Sequence, residues 1–140
     1  AVKKMVSELQ LESKVRFVGR IPYHELLRYT AAADLGLALD KPLSLNYALA
    51  LPNKVFDYIQ AGTPILAGPL IEISRLVKTH DCGLILGEVS SFEIARAINK
   101  LLNDPQRLTL FSENCKKAAK VEHWGVDKEI LAQVVQRVFI

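Results

Sequence analysis

Apolar positions recur along this chain with two alternating periods. Val2, Met5, Val6 and Leu9 repeat at i, i+3, i+4 and i+7, which predicts an amphipathic helix. Val15-Arg16-Phe17-Val18-Gly19 is a short β-branched and aromatic run closed by glycine, which predicts a strand. Pro22 opens a second helix from Tyr23 to Ala33, with Leu26, Leu27 and Thr30 on its inner face. Leu35 to Leu39 is apolar throughout. A strand without alternation is buried on both faces, as in a parallel sheet covered by helices.

Asp40 to Leu51 has no period and reads as a long loop. Pro52 then starts a helix over Asn53 to Ala61, stopped by Gly62. Thr63 to Gly68 is the third predicted strand, followed by a helix over Glu72 to Thr79. Gly83 closes that helix and Leu84-Ile85-Leu86 is the fourth strand. Ser90 and Glu93 form a capping box for a helix ending near Asn103. Asp104-Pro105 caps another helix to about Lys120. A last helix carries Val126, Ile130, Leu131, Val134 and Val138, an apolar stripe expected to pack on the core. Strands alternating with helices, then helices alone, define an α/β fold with a parallel sheet and a helical C-terminal tail. Residues 1–140 read as a single domain.

Composition narrows the function classes. The chain has 140 residues, 50% hydrophobic and 24% charged, which excludes intrinsic disorder. No run reaches the 18 or so apolar residues of a membrane span. The net charge of +3 is mild, and the basic doublets Lys3-Lys4 and Lys116-Lys117 are isolated, so nucleic acid is not an expected partner. Cys82 and Cys115 lack metal-ligand spacing and read as reduced, partly buried thiols of a cytoplasmic protein. His80-Asp81 imitates a metal dyad but ends a helix before Gly83, where the dipole favours histidine. No metal site is expected. The absence of GxGxxG, a Walker lysine loop and GxSxG argues against dehydrogenases, P-loop enzymes and α/β-hydrolases.

In parallel α/β sheets ligands bind outside the carboxyl ends of the strands, beside helix N-termini. Two loops qualify: Gly19-Arg20-Ile21 to Tyr23, and Asp40 to Lys54. The second leads into Leu51-Pro52-Asn53-Lys54, where free N–H groups and the positive end of the helix dipole suit a phosphate. Asp57, one turn further, is placed to accept hydrogen bonds from vicinal ribose hydroxyls. The dipole alone also favours an aspartate there.

VRFVGRIPYHELLRYTAAADLGLAL (15–39), LPNKVFDYIQAGTPILAG (51–68) and CGLIL (82–86) together resemble the carboxyl-terminal, nucleotide-sugar-binding domain of GT-B glycosyltransferases, most closely the retaining enzymes of family four. The shared pattern includes P-N-K-x-x-E-Y-x-x-A-G-x-P-V-I-A, and the likeness covers about Lys3 to Asn103. It implies a Rossmann-like sheet and a transferase of polysaccharide biosynthesis. The donor, a nucleoside-diphosphate sugar, is a substrate, and no cofactor is implied. Asp57 takes the place of the second glutamate of the family's E-x7-E element, which holds the ribose hydroxyls. Amides around Leu51, Asn53 and Lys54 would approach the diphosphate. Gly19, Arg20 and Ile21 would flank the base, and the loop from Ser44 through Asn46 to Leu49 would lie near the donor sugar.

The chain departs from the family at defined points. Leu49 stands where the first glutamate of E-x7-E belongs, and Asp57 is one methylene shorter than glutamate. The family's domain begins with two strands that would precede Ala1, including a loop with the Arg and Lys that neutralise the diphosphate. The catalytic groups belong to an N-terminal acceptor domain, so none is expected here, and the chain is not expected to turn over substrate alone. In the family strand order 3-2-1-4-5-6, those two strands separate Val15–Gly19 from the others. The exposed strand edges lead to an expectation of self-association, or of an altered place for the first strand. A peripheral location at the inner membrane face is expected of the intact protein, because such acceptors are often lipid-linked. Two other readings stay open: a GT-B-type nucleotide-sugar epimerase and a non-enzymatic α/β interaction module.

Overall fold

The computed structural model describes residues 1–139. The elements in chain order are α1 (Val2–Glu8), α2 (Tyr23–Ala31), β1 (Gly36–Ala38), α3 (Leu45–Ala48), α4 (Asn53–Ala61), β2 (Ile65–Ala67), α5 (Ile71–His80), β3 (Gly83–Ile85), α6 (Ser91–Leu102), α7 (Pro105–Ala118) and α8 (Trp124–Phe139). The strands form one parallel sheet in the order β1-β2-β3, with Leu37 opposite Leu66 and Leu66 opposite Leu84.

Burial follows the sheet's two faces. Ile65 and Ala67 of β2 point into a cluster with Val55 and Ile59 of α4, Ile73 and Val77 of α5, and Cys115 and Ala118 of α7. Leu66 points the other way, into a cluster with Ala97 and Leu101 of α6 and Phe111 of α7. Every residue of β2 is fully buried, as a central parallel strand requires. Gly62 ends α4 in the left-handed conformation, φ 73°, and turns the chain into β2. The buried Thr63 hydroxyl donates to Thr30 O at 2.7 Å and anchors the end of α2 there.

The capping signals act in part: the Glu93 carboxylate pairs with Arg96 rather than closing the capping box, and Asp81, not Gly83, ends α5. The Ser90 hydroxyl accepts from the Glu93 amide, and Asp104 accepts from the Arg107 amide at 3.0 Å. His80 lies in the last turn of α5, and Asp81 follows as a left-handed cap. Cys82 and Cys115 are free and buried, and the Cys115 thiol donates to Thr63 O at 3.3 Å. The hydrogen-bonded contact with Cys82, then burial, push the Cys115 thiol above its ordinary range.

Four expectations are corrected. Val15–Gly19 is not a strand but an irregular segment after α1. A β-run gains its ladder only beside another strand, and nothing in residues 1–139 lies next to this one to supply it. Leu37 is 39% exposed, because β1 is an edge strand rather than one covered on both faces. Within the stretch read as a continuous loop, Ser44 caps the short helix α3. The stripe of α8 does not pack on the core: Ile130 is 55% and Val138 68% exposed. Among the described residues, no helix is long and apolar enough to cross a membrane.

Candidate functional site

Helix α4 begins at the carboxyl edge of the sheet with Pro52 as its N-cap, and no side chain caps it. Pro52 has no N–H, so the uncapped donors of this end belong to the first residues of the helix proper. Helical spacing then separates its side chains into three faces. Val55 and Ile59 are buried under the sheet. Lys54 and Tyr58 turn toward β1. Asn53, Phe56, Asp57 and Gln60 turn outward into an open cavity of about 660 Å³.

The opposite wall of this cavity is α2, through Tyr23 and Leu26, and the third is the corner between α7 and α8, through Glu122, Trp124 and Asp127. Helices α2 and α4 run side by side in the same direction, tied at the Thr63–Thr30 contact and at a second point. There the Tyr23 hydroxyl donates to Asp57 Oδ1 at 2.8 Å. The hydrogen bond to Asp57, followed by minor desolvation and the carboxylate's charge, raises the Tyr23 phenol above its ordinary range. Gln60 Nε2 donates to Glu122 O at 2.9 Å, and His80 Nε2 lies 2.7 Å from Glu122 Oε1. These contacts hold the α7–α8 corner against α4 and α5, and with it the Trp124 wall.

The cavity is lined by aromatic rings (Tyr23, Phe56, Trp124) and by the carboxylates of Asp57, Glu122 and Asp127, with no lysine or arginine among its described lining. Such a surface suits hydroxyl-rich, uncharged groups with a flat or apolar face. Phosphates suit the helix end instead, where Lys54 lies. Its ammonium is 2.7 Å from the buried Asp40 Oδ2 and neutralises that carboxylate.

The residues singled out in the sequence are thus only partly gathered. Asp57 and Asn53 share the cavity. Lys54 is on the adjoining face with Asp40, and Leu51 packs half-buried against the core. Gly19, with φ 79°, Arg20 and Ile21 form the loop leading to Tyr23 but do not line the cavity. Ser44 accepts from the Tyr47 amide at 3.4 Å as the cap of α3, and Asn46 is exposed on that helix, both outside the cavity. Sequence reasoning missed Phe56, Gln60 and Trp124, and it gave no role to Tyr23 and Asp40, which bound the two candidate loops. The four-residue spacing of α4 would have found Phe56 and Gln60 beside Asp57. Trp124 comes from another element and left no local signal, and the partners of Tyr23 and Asp40 depend on how separate elements meet. Among the described residues no group of three or more His, Cys, Asp or Glu side chains is arranged to hold a metal ion.

A parallel sheet with helices on both faces, and a cavity beside a helix start at its carboxyl edge, defines a Rossmann-like α/β domain of the GT-B kind. The sequence profile "Glycosyl transferases group 1" matches residues 1–121, and the chain belongs to that family. Sucrose-phosphate synthase from Thermosynechococcus elongatus superposes with a TM-score of 0.80 at 22% identity, over 99% of this chain and 33% of that one. WaaG, a glycosyltransferase involved in lipopolysaccharide biosynthesis, superposes at 0.66 and 21% identity, over 87% of this chain and 32% of its own. The chain therefore spans about a third of either solved protein. No curated protein matches it in sequence.

Proposed function

We propose that this chain binds the nucleoside-diphosphate-sugar donor of a retaining glycosyltransferase. The observation that carries the reading is the pairing of Asp57 and Asn53, one turn apart, in the cavity beside the uncapped start of α4. Asp57 accepts from a ribose hydroxyl, and the aromatic walls take the nucleoside. The diphosphate lies at the amides of Asn53 and Lys54, with Gly19 to Ile21 toward the base and Ser44 to Asn46 toward the sugar. In the whole enzyme the bond from the anomeric carbon to the diphosphate breaks and a bond to an acceptor hydroxyl forms, with retained configuration. The acceptor's proton passes to the departing diphosphate oxygen, and the remaining charge on the diphosphate is stabilised at the helix end. An N-terminal acceptor domain completes that enzyme, and polysaccharide assembly is a fitting pathway class given the likeness to WaaG.

Leu49, an apolar side chain where the family has glutamate, favours a second reading as a non-catalytic module. Calorimetric titration with UDP, GDP and ADP separates the two. One nucleotide should bind with 1:1 stoichiometry and weaken at least tenfold in Asp57→Ala. Equal binding by Asp57→Ala, or none by the unaltered chain, removes the donor-binding reading. Retention is tested in the longer polypeptide by the anomeric configuration of the first product: an inverted product excludes it.

A further inference from the structure

We infer that Tyr23 is itself a donor-binding residue: its hydroxyl donates to Asp57 and accepts a hydrogen bond from the second of two vicinal ribose hydroxyls. This rests on the role proposed for Asp57 above. Tyr23 enters from α2, 34 positions before Asp57, and its oxygen lies 2.8 Å from Asp57 Oδ1 in the wall of the same cavity. The residue is 60% exposed, so the contact is not explained by core packing.

The chemistry follows from counting lone pairs. A phenol that gives its one proton to a carboxylate keeps acceptor capacity on its oxygen. Asp57 Oδ1 is occupied by that proton, while Oδ2 has no protein donor among the described residues. The pair therefore offers two acceptors from two side chains, Asp57 Oδ2 and the Tyr23 oxygen. One longer carboxylate would offer the same two from its own oxygens. The adjacent negative charge makes the phenol oxygen a better acceptor than a free tyrosine's. The arrangement also answers the missing methylene of Asp57, because the Tyr23 oxygen extends the polar surface beyond the aspartate's own reach. The raised phenol pKa keeps the proton in place throughout the neutral range. The rings of Tyr23, Phe56 and Trp124 line the same cavity and offer apolar surface for the base.

The test compares the tightest-binding of UDP, GDP and ADP with its 2′-deoxy and 3′-deoxy counterparts, on the full chain, by calorimetry. The unaltered chain should prefer the ribonucleotide. Tyr23→Phe should shrink that preference for one of the two deoxy analogues by about three- to tenfold, the worth of one hydrogen bond. Its melting temperature should move by less than about 2 °C, because the residue is exposed. A merely structural tyrosine would weaken ribo- and deoxynucleotides alike, and an unchanged ratio in Tyr23→Phe overturns the inference. Loss of binding in Asp57→Ala beside an unchanged ratio in Tyr23→Phe removes Tyr23 alone. Full binding by Asp57→Ala removes the underlying reading as well.

Discussion

Lys54 and Asp40 face each other at 2.7 Å across the carboxyl edge of the sheet, the ammonium from the first turn of α4 and the carboxylate from the loop after β1. Asp40 thus puts a negative charge where a phosphate would meet the helix end. Both side chains are about a third exposed, 39% and 32%, so the pair adds little to stability, roughly 0–1 kcal/mol. Asp40→Asn should leave the melting temperature nearly unchanged and raise nucleoside diphosphate affinity by roughly two- to tenfold at low salt. An affinity that stays level or falls would show that Lys54 takes no part in phosphate binding.

Gly83 allows β3 to lie against β2. A Cβ built there would stand 2.0 Å from the Ile65 carbonyl oxygen, a backbone atom that cannot give way without parting the strands. Gly83→Ala should destabilise the chain by about 2–4 kcal/mol, in the range of severe overpacking. Urea unfolding measures it, and a loss below about 1 kcal/mol would mean that the strands separate more easily than this packing implies.

Tyr58 covers the free edge of the sheet. Its hydroxyl donates to Leu37 O at 3.1 Å, and burial, the largest cause, holds the phenol above its ordinary value. The Tyr23 phenol is raised too, and the unfolded chain loses these protons first, near pH 10. The folded state then binds more protons than the unfolded one, so stability is full below about pH 10 and falls as pH rises through the native values. Urea midpoints between pH 8 and 11 should therefore fall, and fall less steeply in Tyr58→Phe. Equal slopes would contradict the role of Tyr58.

The surface of the chain is 10111 Å². A compact monomer of this length exposes about 7,250 Å². The excess coincides with apolar side chains left uncovered on α1, on Phe17 and Val18, and along α8. Light scattering at micromolar concentration should report a dimer or larger species. A stable monomer across that range would show that the uncovered side chains of α1, Phe17, Val18 and α8 do not drive association.

How much of this could be read from residues alone depended on the range of the interactions involved. The helices α4, α6 and α7 followed from signals within a few residues: Pro52 and Gly62, Ser90 with Glu93, Asp104 with Pro105. The central strand followed from Ile65-Leu66-Ala67 set between Pro64 and Gly68, whereas the unbroken apolar run Leu35 to Leu39 belongs to the edge strand. Val15–Gly19 carries the same local preference, yet strand identity depends on a neighbour, which no local pattern encodes. The stripe of α8 likewise announced a helix but not what would cover it. At the site, the position of Asp57 was legible from helix polarity and from the family pattern. Its partner Tyr23 and the Asp40 contact of Lys54 were not, because both depend on how separate elements meet across the domain.

Backbone amide chemical-shift mapping with UDP, GDP and ADP tests the donor-site claim most directly. One nucleotide should produce saturable shifts concentrated at Asn53 to Asp57 and Gly19 to Tyr23, sharply reduced in Asp57→Ala. Saturable shifts centred elsewhere, or no saturable shift with any of the three, would contradict it.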